Sequence, residues 1–113
     1  MSWLKGILGG VVGAEVLSLL KDYIDKKGGL ENVVKDFENA GLTNKVRSWI
    51  STGPNLPTNS VEIEQALGLD KLVELARNAG IPVDKVKDML AEYLPIAIDK
   101  AAPEGKLPPK EAA

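Results

Sequence analysis

Glycine interrupts this chain at short intervals, and the segments between the interruptions carry apolar residues at helical spacing. A glycine costs about 1 kcal/mol in a helix interior, and it is favoured just beyond a helix end. We therefore expect short helices that end at glycine turns. The interruptions fall at Gly28-Gly29, Gly41, Gly53-Pro54, Gly68 and Gly80.

The apolar spacing between these glycines predicts an all-α protein of five to six short helices, preceded by an apolar, glycine-rich amino-terminal helix. Thr43 or Asn44 is expected to cap the third helix and Asp70 the fifth, and Asn59 has capping-box spacing to Glu62. Pro95 lies inside the last segment and is expected to kink or split it. The predicted helices cover residues 3–26, 30–40, 44–51, 60–67, 71–79 and 82–101.

The short segment 41–55 is expected to organise the core. It holds a turn, an amphipathic helix that carries one of the two tryptophans, and a glycine-proline stop. Aromatic residues make up only 4% of the chain, so large apolar anchors are few. The residues predicted to form the structural core are Phe37, Val46, Trp49, Ile50 and Leu90.

The amino-terminal segment is more apolar than a single small domain needs. Only Lys5 and Glu15 carry charged side chains before Lys21. A helix of this kind packs on its own domain, on a second copy of the chain, or on a membrane surface, and the sequence leaves all three open. The predicted self-association or membrane-contact residues are Trp3, Leu4, Ile7, Leu8, Val11, Val12, Val16, Leu19 and Leu20.

The same segment bears on localisation. Its apolar stretch is shorter than the roughly 20 residues of a membrane span. No small-residue cleavage site follows it, so it is not expected to be a removed signal peptide. We expect a cytoplasmic protein, lying at the inner face of the membrane if the segment binds lipid.

Composition argues against catalysis. The chain has no cysteine and no histidine, which removes thiolate nucleophiles, the usual zinc sites and the commonest general base. The glycines between Gly6 and Gly13 do not form a phosphate-binding loop. We expect no enzyme, no metal or other cofactor, and no small-molecule substrate.

Nucleic acid is an unfavoured partner. The net charge is −2, whereas proteins that bind nucleic acid usually show a basic excess. Residues 70–92 do have helix-turn-helix spacing, with a turn at Gly80. The helix that would read the groove carries two lysines against three carboxylates, so a helix-turn-helix module is only a further alternative.

One stretch of the sequence is similar to a known family. The segment Trp49-Ile50-Ser51-Thr52-Gly53-Pro54-Asn55, with the flanking sequence over residues 28–108, resembles the YidB-like family of small bacterial proteins, a domain of unknown function. The resemblance implies an all-α domain with five or more helices and no catalytic residues. It divides the chain into an amino-terminal segment (1–27), a helical domain (28–103) and a flexible tail (104–113).

These observations favour a non-catalytic scaffold protein that associates with itself. An apolar helix beside a small domain without an active site suits a building block, and identical contacts that do not close produce a polymer. We therefore expect homo-oligomers, of which cytoskeleton-like polymers are one form, assembled through the amino-terminal helix. Association with a membrane surface through residues 3–24 is the alternative.

Overall fold

The computed structural model describes residues 13–102 together with Gly6 and Gly105, and helices occupy most of that range. No strand occurs among those residues, so the predicted all-α fold is confirmed. The amino-terminal helix is the exception, because nearly all of residues 1–12 lie outside the described part. The six helices are α1 (Ala14–Lys27), α2 (Leu30–Asn39), α3 (Thr43–Ile50), α4 (Ser60–Leu67), α5 (Leu69–Ala79) and α6 (Val83–Ala101).

Helix α6 is the central element of the fold. It packs against α1, α3, α4 and α5, and α2 completes the structure by packing on α1, α3 and α4. Its buried face includes Val86, Leu90, Leu94 and Ile98, which recur at spacings of three to four residues, as a core-facing helix requires. The sequence predicts that Pro95 kinks or splits this helix, and a split does not occur, because α6 runs unbroken from Val83 to Ala101.

The structure buries all five residues that the sequence predicts for the core: Phe37, Val46, Trp49 and Leu90 are fully buried, and Ile50 nearly so. The ring centroids of Phe37 and Trp49 lie 5.3 Å apart, with their planes at 75°. Such edge-to-face pairs contribute about 0.5–1.5 kcal/mol beyond their buried area.

Helix α1 belongs to this same core. Its residues Val16, Leu19, Leu20, Tyr23 and Ile24 are buried among side chains of the other helices. The predicted boundary between an amino-terminal segment ending at residue 27 and a domain beginning at residue 28 is therefore misplaced. The domain includes α1.

The pair Gly28-Gly29, which sequence spacing made a candidate hinge, is a tight turn between α1 and α2. The N–H groups of Gly28 and Gly29 donate to the carbonyls of Asp25 and Ile24, and both glycines have positive φ. The Tyr23 hydroxyl donates to Asp36 Oδ2 at 2.9 Å and ties the two helices together. Burial, followed by the charge of Asp36, raises the pKa of Tyr23, so the hydroxyl keeps its proton.

Two of the three predicted helix caps differ from the structure. Helix α3 begins after Leu42 and α5 after Gly68, neither with a side-chain cap, so neither Thr43 nor Asp70 has the predicted role. Asn59 does cap α4, because its side chain accepts from the N–H of Glu62. The Glu62 carboxylate turns away to Lys45, 2.7 Å distant, and that hydrogen bond lowers the pKa of Glu62.

Candidate self-association surface

Helix α1 begins after Gly13, close to the start of the described residues. Gly13 has φ −75° and ψ 168°, which is extended backbone, whereas Gly6 is helical. Helix α1 begins at Ala14, and residues 3–12 of the predicted helix over 3–26, apart from Gly6, lie outside the described part. The first twelve residues carry one charged side chain, Lys5.

The predicted contact residues divide at the start of α1. Val16, Leu19 and Leu20 are 8%, 2% and 0% exposed, so the prediction that they form an outward contact surface is wrong for these three. Their spacing is the one expected of a helix that contacts another molecule, because a helix that packs into its own core needs the same apolar stripe. The remaining candidates, which lie outside the described residues, are Trp3, Leu4, Ile7, Leu8, Val11 and Val12.

Two side-chain contacts define how α1 lies against α5. Lys26 Nζ is 3.0 Å from Glu74 Oε1, and Asn78 Nδ2 donates to Asp22 Oδ2 at 3.4 Å. As α1 advances from 22 to 26, its partner recedes from 78 to 74, so the two helices are antiparallel. The Lys26–Glu74 hydrogen bond raises the pKa of Lys26 and lowers that of Glu74. Both side chains are partly exposed to solvent, so this pair fixes orientation more than it adds stability.

The antiparallel arrangement separates two features of the domain. The chain enters α1 near the end of α5 that is followed by Gly80, and the opposite end of α5 begins at Leu69. At that opposite end, Leu69 is 54% exposed and Val73, one turn further on, is 36% exposed. Residues four apart lie on the same side of a helix, so the two make one apolar strip, which we call the α5 face.

The α5 face was not predicted from the sequence. The sequence pattern placed Val73 on the apolar side of its helix with Leu72, Leu75 and Ala76. The structure buries those three residues. The only signal was the width of the stripe, since Leu69 and Val73 lie along one edge of it. Two other large apolar side chains are exposed in the described part of the chain, Val61 at 65% and Leu56 at 44%.

The stretch that resembles a known family forms a hydrogen-bonded corner after α3. Trp49 Nε1 donates to the Leu56 carbonyl at 2.8 Å, and the Leu56 N–H donates to Ser48 Oγ at 2.9 Å. These bonds fold the loop containing Gly53-Pro54 back onto the helix that precedes it. Ser48 and Trp49 of this stretch therefore have a structural role in holding the loop.

The helix-turn-helix alternative has the right turn but unsuitable charge. Gly80 adopts the left-handed conformation between α5 and α6, as the motif requires. Lys87, however, lies 3.1 Å from Glu64 and 3.5 Å from Asp84. The hydrogen bond to Glu64, with these acidic neighbours, raises the pKa of Lys87 and ties up a cation that phosphate would need.

Two other kinds of site are absent from the described residues. No cluster of acidic side chains there could hold a metal ion. No helix among them has both the length and the apolarity needed to cross a bilayer.

Comparison with known proteins identifies the relatives of this fold. The chain is 25% identical over 112 residues to the uncharacterized protein YidB of Escherichia coli K12, covering 93% of this chain and 85% of that one. A homeodomain-like protein of unknown function, S4005 from Shigella flexneri, has a similar structure with a TM-score of 0.77 at 24% identity, over 94% of this chain and 80% of that one. Residues 1–110, α1 and the segment before it included, match the family described as YidB-like protein. The chain therefore belongs to the YidB-like family.

Proposed function

We propose that this protein is a non-catalytic structural protein that associates with itself through the apolar segment of residues 3–12. The observation that carries the proposal is that the six described helices already bury one another's apolar faces. Residues 3–12 add a further apolar stretch with one charged side chain, Lys5. We place this function in the cytoplasm, consistent with a chain that contains no cysteine.

The expected strength of association follows from the size of the segment. Burying four side chains such as Leu4, Ile7, Leu8 and Val11 contributes about 6–12 kcal/mol, at about 1.5–3 kcal/mol each. Association itself costs about 4–15 kcal/mol in lost translational and rotational freedom. These figures nearly cancel, so self-association is weak and should be measured at high protein concentration.

The proposal is tested with the full-length chain. In sedimentation velocity, we expect the wild-type sedimentation coefficient to rise with concentration and the double variant Ile7→Asp, Val11→Asp to remain monomeric. The matched control is Val61→Asp, which makes the same change on α4 in a helical turn where an acid is favourable. The control should behave as the wild type does. A wild-type chain that stays monomeric at the highest attainable concentration would refute self-association.

The membrane-surface alternative uses the same residues and is separated by a second measurement. Vesicles containing anionic lipid should not pellet the wild-type chain, because Lys5 is the only basic side chain in the segment. Pelleting of a monomeric wild type, lost in the Ile7→Asp, Val11→Asp variant, would replace self-association with membrane binding. Binding to DNA receives least support, since Lys87 is already engaged by two carboxylates.

A further inference from the structure

We draw no further inference here: the strongest candidate, the exposed apolar strip that Leu69 and Val73 form on α5, carries none, because nothing in the described part of the structure shows what covers it.

Discussion

At the scale of single residues, Trp49 shows how one side chain has both a packing and a polar role. Its ring meets Phe37 edge to face and is fully buried, while its indole N–H donates to the Leu56 carbonyl. The hydrogen bond holds the loop that follows α3 against the helix. The sequence predicts Trp49 as a core anchor because large apolar side chains are few. Its hydrogen bond to a residue seven positions later is visible only in the folded chain.

The two roles of Trp49 are separable by substitution. Trp49→Ala should lower the free energy of unfolding by about 3–5 kcal/mol, because it removes the largest buried side chain and leaves a cavity. Trp49→Phe keeps an aromatic ring and loses the hydrogen bond, so its smaller loss reports on the loop attachment. Urea denaturation followed by circular dichroism measures both. A loss below 1 kcal/mol for Trp49→Ala would contradict its place in the core.

At the scale of elements, the glycines that lie between the helices have different structural roles. Gly28 and Gly80 take the left-handed conformation that ends a helix, whereas Gly13 is extended and begins one. The spacing of glycines predicted that breaks occur, and it placed most of them well. It did not say which glycine ends a helix in a left-handed turn and which begins a helix in extended backbone.

This difference gives a paired prediction. Gly28→Ala should destabilise the protein by about 1–2 kcal/mol, because φ is +85° there and the added Cβ would lie 3.3 Å from Asn32 Nδ2. Gly53→Ala is the control, since Gly53 has no positive φ and its added Cβ would meet only Ser51 Oγ at 3.8 Å. Thermal unfolding compares the two variants. Equal melting temperatures would mean that the turn between α1 and α2 adapts without strain.

At the scale of the whole molecule, the position of the domain boundary decides how function should be tested. Five buried residues of α1 contribute to the core, and removing any one of them costs about 2–5 kcal/mol in comparable cores. The total stability of a domain of this size is about 5–15 kcal/mol. A chain that begins at Gly28 therefore loses more stabilising free energy than the whole domain has, and we expect it not to fold.

We accordingly expect two truncations to behave differently. Residues 13–113 should keep a helical circular dichroism spectrum and a cooperative thermal transition, because α1 is retained. Residues 28–113 should lack a cooperative transition, since Tyr23, Ile24 and their neighbours on α1 are gone. A cooperative transition in the shorter chain would restore the boundary at residue 27 that the sequence suggested.

The sequence by itself determined the helical class, the approximate bounds of the helices and the five central core residues. Local spacing of apolar residues and glycines is enough for these, because helices form and end through contacts within a few residues. Only the tertiary structure decided that Val16, Leu19 and Leu20 are core and that Leu69 and Val73 are surface. An apolar stripe has the same period whether it meets its own domain or another molecule. Which of the two it meets depends on helices that are distant in sequence.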